Sequence, residues 1–177
     1  GQKNNPSLRD TLTKIEHIIY EGSKNVEMTG DGNNNIIKSD AGNDTLRGGD
    51  GNDVLKSGDG DDYLYGGRGN DVLILNGSGA QHYYGGEGVD TFKIDHSNWT
   101  GTLDPGYDQI IEIDLVNNIS GQKGNPSLRD TLFNIENISY KGLTNVEMTG
   151  DNNSNVIRSA RGDDFINAMD GDDFINS

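Results

Sequence analysis

Apolar residues recur every nine positions along two stretches of this chain. In residues 30–93 and 150–177, each nine-residue block carries an Ile, Leu or Phe at the same place near its end. These apolar residues occupy the eighth position of their blocks: Ile37, Leu46, Leu55, Leu64, Leu73, Phe92, Ile157, Ile166 and Ile175. Because successive side chains of a strand point to opposite faces, each block predicts a short strand with one apolar side chain turned inwards.

The polar part of each block consists of residues that suit tight turns. Its first six positions are mostly Gly, Asp and Asn, which tolerate positive φ. The sixth position is Asp or Asn in every block: Asn35, Asp44, Asp53, Asp62, Asp71, Asp90, Asn155, Asp164 and Asp173. Two blocks complete one 18-residue turn of a flattened spiral, so that blocks two apart stack on the same edge. The sequence therefore predicts an all-β fold, a parallel β-roll that is a right-handed β-solenoid of nonapeptide repeats.

A longer repeat spans 120 residues. Residues 1–12 return almost unchanged at 121–132, and residues 25–31 return at 145–151. The second copy is shorter than the first, so we expect a longer protein in which adjacent repeat units of the same chain stack. The pattern predicts four segments: a cap or spacer at 1–29, a first roll at 30–93, a second cap or spacer at 94–149 with a strand at 107–115, and the start of a second, truncated roll at 150–177.

The segment between the rolls departs from the nine-residue period. Residues 106–115 alternate Ile or Leu with acidic residues, which predicts a half-buried strand. Ser127 and Asp130 follow a proline with the spacing of a capping box, and Ser7 and Asp10 repeat this pattern. The pattern fits a single helical turn or a solenoid turn with an insertion equally well. The segment either covers the open ends of two rolls or continues one β-solenoid through the whole chain.

Composition narrows the class of protein. The chain has 177 residues, with 29 acidic against 14 basic residues and a formal net charge of −15. This acidity argues against nucleic acid and anionic membrane surfaces as partners, since phosphate binding requires a basic patch. The 26 glycines argue against a helical bundle, and the absence of cysteine excludes disulfides and thiolate metal sites. No apolar run is long enough for a membrane span.

No combination of residues predicts catalysis. The three histidines, His17, His82 and His96, form no H-E-x-x-H zinc motif, and the sequence contains neither G-x-S-x-G nor G-x-x-x-x-G-K-[ST]. We therefore expect a protein that is not an enzyme. His82 lies in a ten-residue interruption of the period at 75–84, where an apolar residue is expected. It marks either a break in the roll or a surface position.

The stacked acidic residues require a counter-charge. Parallel strands lie about 4.8 Å apart, and two carboxylates about 5 Å apart repel by about 1 kcal/mol in water and about 3 kcal/mol at an effective dielectric of about 20. One inward apolar residue per block contributes about 1.5–3 kcal/mol. This does not offset the repulsion within two stacked rows of carboxylates. Calcium fits the requirement, because it is a hard cation that takes about six to eight oxygen ligands.

The blocks match the G-G-x-G-x-D-x-U-x nonapeptide at three or more positions each. The chain resembles the calcium-binding β-roll region of large RTX (repeats-in-toxin) proteins, which bacteria export by type I secretion. The resemblance implies a secreted, extracellular protein with several bound Ca²⁺ ions, the type I secretion machinery as a partner, and contact with a host cell surface. It implies a folding and secretion module of a multi-unit RTX toxin. A calcium-rigidified adhesin repeat and the non-catalytic C-terminal part of a secreted hydrolase are the alternatives.

The resemblance also implies which residues hold calcium, namely turn residues through their carbonyls and the sixth-position side chains of stacked blocks. The implied turn residues are Gly30, Gly32, Gly48, Asp50, Gly51, Gly58, Gly60, Gly66, Arg68 and Gly69. The stacking predicts the pairs Asn35–Asp53, Asp53–Asp71, Asp71–Asp90, Asp44–Asp62 and Asn155–Asp173, with Asp164 facing a neighbour beyond residue 177. Asn35 and Asn155 keep an oxygen but lack the charge, which predicts weaker binding or a capping role at the start of each roll. Because the unfolded chain has no formed site, calcium binding and folding should be one event, at roughly 10⁻⁴–10⁻³ M calcium.

Overall fold

The computed structural model describes residues 14–96, 105 and 109–177. These residues form an all-β fold of parallel stacked strands, a β-solenoid of about eight turns, which confirms the predicted fold. No helix in this part of the chain has the length and apolar character to cross a membrane. The strands are β1 (His17–Ile19), β2 (Glu27–Thr29), β3 (Ile36–Lys38), β4 (Thr45–Asp50), β5 (Val54–Lys56), β6 (Tyr63–Arg68), β7 (Val72–Leu75), β8 (His82–Glu87), β9 (Thr91–Asp95), β10 (Ile111–Asp114), β11 (Ile119–Gln122), β12 (Arg129–Phe133), β13 (Asn137–Lys141), β14 (Val146–Thr149), β15 (Val156–Arg158), β16 (Phe165–Asn167) and β17 (Phe174–Asn176).

The strands form two sheets around one core. The first sheet has the order β1-β3-β5-β7-β9-β13-β15-β17, and its neighbouring strands are parallel throughout. The second sheet has the order β16-β14-β10-β11-β12-β8-β6-β4-β2. Val54 pairs with Val72 and Thr45 pairs with Tyr63, so residues 18 apart in sequence stack turn upon turn.

The eighth-position residues of the first roll form a column of apolar side chains between the sheets. Six of them have no exposed surface: Ile37, Leu46, Leu55, Leu64, Leu73 and Phe92. The interruption at 75–84 leaves the column intact, because its extra residue places Tyr83 opposite Leu64 and inside the core. His82 therefore lies on the outer face of the second sheet, where its ring stacks on Tyr63 with the centroids 4.5 Å apart. The roll is not broken at this point.

In each of the loops 48–51, 66–69 and 85–88, two glycines adopt a backbone conformation that other residues avoid. Gly67 and Gly69 have φ angles of 120° and 126°. The carbonyl groups of Gly49 and Gly51, one turn earlier, lie directly against them. A Cβ at either position would be strained and would also collide with those carbonyls. The second and fourth positions of the block thus allow consecutive loops to stack closely.

The described residues of the segment 94–149 belong to the solenoid and join the two rolls. Strand β13 pairs with β9 on one side and with β15 on the other, so the first sheet continues from one repeat unit into the next. In the second sheet, β11 runs antiparallel between β10 and β12 as an inserted excursion. Ile138 and Met148 are fully buried in blocks that the sequence pattern did not reveal. The division into caps, rolls and spacer stays a prediction from the sequence.

A helical turn forms at the predicted place, but its cap differs. Pro126–Leu128 make one 3-10 turn, and the side chain of Asn125 caps it by accepting the Ser127 N–H at 3.0 Å. Asp130 completes no capping box, because it lies buried in β12 and accepts the Gln81 N–H at 3.0 Å. The equivalent Ser7 and Asp10 lie outside the described residues. So does the first part of the strand predicted at 107–115, whose described portion is β10.

We expect the core column to dominate the stability of the fold. Replacing Leu64 by alanine should lower the free energy of unfolding by about 2–5 kcal/mol, because the buried side chain leaves a cavity between the sheets. Leu143→Ala is the matched control, since Leu143 is 74% exposed and should change stability by less than about 0.5 kcal/mol. Urea denaturation in calcium-containing buffer measures both variants. Equal losses would contradict the assignment of the core.

Candidate metal centre

The sixth-position acids of one edge are joined by hydrogen bonds that run from turn to turn. The N–H groups of Asn35 and Asp53 donate to the Oδ1 atoms of Asp53 and Asp71, both at 2.7 Å. The Asp71 N–H donates to Asp90 Oδ1 at 2.8 Å. Each carboxylate therefore accepts the N–H of the residue one turn earlier in the chain. The structure thus brings together the pairs that stacking predicts on this edge.

On the opposite edge, the carboxylates again accept an N–H from the turn before, but the column is interrupted after Asp62. The N–H groups of Val26 and Asp44 donate to the Oδ1 atoms of Asp44 and Asp62, at 2.9 and 2.8 Å. One turn further, Gln81 replaces the acid. Its Nε2 donates to the carbonyls of Gly60 and Ser78, at 2.9 and 3.1 Å. A neutral amide thus occupies the position that a charged carboxylate holds in the neighbouring turns.

The second copy repeats the arrangement as far as the chain extends. The N–H groups of Val146 and Asn155 donate to Asp164 Oδ1 at 3.1 Å and to Asp173 Oδ1 at 2.9 Å. Asn155 Oδ1 accepts the N–H of Asp151 in its own turn, instead of an N–H from the turn before. Its Nδ2 donates to the carbonyl of Glu136 at 2.8 Å. This geometry ends the column of carboxylates at Asn155, as a capping residue would.

Asn35 has the same geometry at the start of the first roll. Its Oδ1 accepts the Asp31 N–H at 2.8 Å, and its Nδ2 donates to the Ile15 carbonyl at 3.0 Å. Both hydrogen-bonding groups of the amide are therefore used within the protein. An ionised carboxylate at this position could not make the second bond, because it has no hydrogen to donate.

A second column of hydrogen bonds lies outside the acidic one. The N–H groups of Asn52 and Asn70 donate to the Oδ1 atoms of Asn34 and Asn52, both at 2.8 Å, and the Val89 N–H donates to Asn70 Oδ1 at 3.0 Å. Here each side chain accepts from the turn that follows it, which is the opposite direction to the sixth position. These amides are neutral, so their contribution to stacking needs no counter-ion.

Six of the sixth-position carboxylates keep one buried oxygen without a hydrogen-bond donor among the described residues. Asp44, Asp53, Asp62, Asp71 and Asp90 are at most 1% exposed. The second oxygen of six acids is buried and finds no partner among the described residues: Asp44 Oδ2, Asp53 Oδ2, Asp62 Oδ2, Asp71 Oδ2, Asp90 Oδ2 and Asp164 Oδ2. A buried carboxylate oxygen without a partner is strongly destabilising, and a bound cation removes that penalty.

On the edge of Asp53, Asp71 and Asp90, glycine at the first position leaves room beside these oxygens, whereas the blocks of Asp44, Asp62 and Asp164 begin with serine. A Cβ built on Gly66 would lie 2.5 Å from the Gly85 carbonyl oxygen and would overlap Asp71 Oδ2. A Cβ on Gly48 would meet the Gly66 carbonyl oxygen at 2.5 Å and would overlap Asp53 Oδ2. Carbonyl and carboxylate oxygens from successive turns thus converge beside a residue without a side chain. This set of hard oxygen donors suits calcium.

The other predicted turn residues vary in their surroundings. Gly30 lies against Asn35 Oδ1 and the Gly48 carbonyl, whereas a Cβ on Gly32 would meet no atom within 4 Å. The Arg68 carbonyl accepts the Gly51 N–H at 2.8 Å, and the Arg68 guanidinium lies 3.3 Å from Glu87. Asp50 ends β4 with its side chain exposed. The remaining predicted glycines lie with a carbonyl of the preceding turn against them: Gly51, Gly58, Gly60 and Gly69.

Carboxylates alone do not complete a metal site here. Within residues 14–96 and 109–177, no three or more Asp, Glu, His or Cys side chains group together closely enough to hold an ion. Any cation in the stacked loops therefore takes most of its ligands from backbone carbonyls, with one or two carboxylates supplying the charge. This agrees with the need for glycine in the loops.

Burial within the acidic columns raises the pKa values of four aspartates. Burial raises the pKa of Asp53 and of Asp90 to about 6, and the negative charge of Asp71 adds to the rise in both cases. Burial also raises the pKa of Asp62 and of Asp71 itself. The ionised form is thus disfavoured in the folded chain at the very positions where a cation would favour it.

Comparison with known protein families identifies the repeats. Residues 28–55, 38–73 and 149–177 match the family model described as the RTX calcium-binding nonapeptide repeat. These stretches are RTX calcium-binding repeats, and the chain contains an RTX repeat region that forms a calcium-binding module. No curated protein shows significant similarity to the chain.

Three residues of the columns were missed by sequence reasoning. Gln81 occupies a sixth position but lies in the irregular block. Asp130 accepts its N–H from Gln81, and Glu136 accepts the Asp90 N–H through Oε2 at 2.7 Å. An apolar residue two positions later could have revealed each of them, because it is an eighth-position residue of the core. These apolar residues are Tyr83, Leu132 and Ile138.

We expect the first-position glycines to be needed for calcium binding. Gly66→Ala should weaken calcium binding about tenfold or more, because the methyl group displaces converging oxygens at a cost of about 1–3 kcal/mol. Gly32→Ala is the matched control, since its added carbon would meet nothing within 4 Å. Isothermal titration calorimetry with calcium compares the two variants. An unchanged affinity in Gly66→Ala would contradict the placement of the site.

Protonation of the buried aspartates should partly replace calcium in stabilising the fold. The pKa values of Asp53 and Asp90 rise from 3.8 to about 6 on folding, so the folded chain binds more protons than the unfolded chain between these values. Its stability therefore increases as the pH falls from about 6 to about 4. In chelator, far-UV circular dichroism should show more β-sheet signal at about pH 5 than at about pH 7.5. Less signal at the lower pH would refute this linkage.

Proposed function

We propose that this chain is a calcium-dependent folding module of a large secreted protein. The observation that supports the proposal best is the set of buried Oδ2 atoms without donors, repeated at every full turn of the first roll. Such oxygens oppose folding in the absence of a cation and favour it once a cation is bound. The RTX repeat β-solenoid is a structural, non-catalytic kind of domain, so the proposed activity is binding and folding.

The stacked loops would hold several calcium ions. On one edge, the ligands would be the second oxygens of Asp53, Asp71 and Asp90 with the carbonyls of the adjacent glycines. On the other edge, Asp44 and Asp62 would serve, while the Gln81 amide already satisfies two carbonyls there. Bound calcium supplies the positive charge that the columns require. The protein contributes stacked oxygens from consecutive turns, so that each ion joins two turns.

Calcium binding and folding are one step in this proposal. The unfolded chain carries a net charge of −15, which keeps it expanded through self-repulsion, and it has no preformed site. Extracellular calcium modules bind at roughly 10⁻⁴–10⁻³ M. RTX repeat proteins are generally secreted and bind calcium outside the cell. We infer that this chain stays unfolded in the bacterial cytosol, passes through the type I secretion machinery and folds outside, as part of a toxin.

An adhesin is the second candidate, and one observation favours it. The first sheet continues through the boundary between the two repeat units, as a stiff spacer would require. The two functions differ in what surrounds these units in the full-length protein. Many near-identical units would support an adhesin, whereas effector domains or an acylation-dependent hydrophobic region would support a toxin.

Far-UV circular dichroism across a calcium titration tests the proposal. We expect a cooperative gain of β-sheet signal between about 0.1 and a few millimolar calcium, with no gain in magnesium. Asp53→Asn should move the midpoint to about 10–100-fold higher calcium, because it removes a charge from a proposed ligand. Asp172→Asn makes the same chemical change at an exposed position and should leave the midpoint unchanged. A chain that is already folded in chelator at neutral pH would overturn the proposal.

A further inference from the structure

The two repeat units meet where β13 stacks on β9. In this contact Thr91 pairs with Asn137 and Phe92 pairs with Ile138. Asp90 lies just before β9, and Asn134 and Glu136 lie just before β13. All three lie outside the stretches that match the RTX repeat family, residues 28–73 and 149–177. The junction therefore joins a regular loop to one that does not follow the nonapeptide.

Asp90 has the buried, unsatisfied carboxylate of a regular turn. It has no exposed surface. Its Oδ1 accepts the Asp71 N–H at 2.8 Å, and its Oδ2 has no hydrogen-bond partner among the described residues. In the regular turns on this edge, such an oxygen faces a first-position glycine and the carbonyl of the next turn. The same surroundings exist at Asp90, but the second unit supplies part of them.

The carbonyl of Asn134 takes the place of a glycine carbonyl. A Cβ on Gly85 would overlap the Asn134 carbonyl oxygen and would lie 2.5 Å from Asp90 Oδ2. The corresponding neighbours of Gly66 are the Gly85 carbonyl oxygen and Asp71 Oδ2. Asn134 has a φ of 52°, in the left-handed region that asparagine adopts more readily than most residues. The oxygens at the junction are therefore arranged as at a regular site.

Glu136 takes the place of the next sixth-position aspartate. Tyr84 pairs with Phe133 and Thr91 pairs with Asn137, so the six-residue loop 85–90 is matched by the three-residue loop 134–136. Although the loop is shorter, Glu136 Oε2 accepts the Asp90 N–H at 2.7 Å, as Asp90 Oδ1 accepts the Asp71 N–H. Glutamate has one methylene more than aspartate, and this extra length lets its carboxylate reach the column from the shortened loop.

We propose that Asp90, the Asn134 carbonyl and Glu136 form a calcium site shared between the two repeat units. The proposal rests on calcium binding by the stacked loops and extends it to a loop without the nonapeptide. Because the ligands come from both units, the ion ties the first turn of the second unit to the last turn of the first. Folding of the second unit is thereby coupled to folding of the unit before it.

Native mass spectrometry of the whole chain, which counts bound calcium ions, tests the shared site. Glu136→Gln should bind one calcium ion fewer than the unaltered chain, because it loses the charge but keeps an oxygen for the Asp90 N–H. Glu16→Gln is the matched control. Glu16 lies 120 residues earlier in the repeat, just before the edge strand β1, with no described turn stacked on that side. It should bind as many ions as the unaltered chain.

The outcomes separate this proposal from the more general one. If the unaltered chain binds no calcium, the proposed function fails and the shared site fails with it. If it binds several ions and Glu136→Gln binds the same number, only the shared site is refuted. Loss of all ions together with the β-sheet signal in Glu136→Gln would also refute it, since Glu136 would then be required for folding in general. Asp90→Asn should lose the same ion, and the double variant should lose no more ions than Asp90→Asn alone.

Discussion

A buried carboxylate oxygen needs a positive partner, and this solenoid stacks such oxygens in two columns. The stacking follows from the period, because two nine-residue blocks make one turn and place each sixth residue beside its equivalent 18 positions away. Backbone N–H groups satisfy one oxygen of each carboxylate and leave the other buried. On the edge of Asp53 and Asp71, glycine at the first position keeps the space beside that oxygen open to carbonyls of the next turn. The loop composition, the short strands and the choice of a hard cation therefore all depend on one electrostatic requirement.

Much of the fold could be predicted from the sequence because its contacts repeat at fixed intervals. The apolar column from Ile37 to Phe92 and the stacking of Asp53 on Asp71 follow from periodicity alone. The turns formed by 131–149 could not be recognised, because the loop 134–136 lacks glycine, the loop 142–145 keeps only Gly142, and both are shorter than the regular loop. The register shift that buries Tyr83 depends on one extra residue in a loop. The reach of Glu136 to Asp90 depends on side-chain length, which periodicity does not report.

The two kinds of column divide the stabilisation of the stack between metal-dependent and metal-independent contacts. Fifth-position amides such as Asn52 and Asn70 join turns through neutral hydrogen bonds in one direction. Sixth-position carboxylates join the same turns in the other direction, but with a charge that must be balanced. A chain with only the amide columns would fold whether or not calcium was present. The acidic columns make folding depend on a bound cation. The neutral asparagine at the start of each roll removes that dependence at its own position.

The excursion through β10 and β11 gives the two faces of the solenoid unequal lengths. From β7 to β13 the first sheet advances by two strand spacings, whereas from β8 to β14 the second sheet advances by four. At about 4.8 Å per spacing, the second face is longer by about 10 Å over the same number of turns. This segment therefore widens the stack on the side of the second sheet. An array of such units would curve at every repeat, and its curvature would be set by the insertion rather than by the nonapeptides.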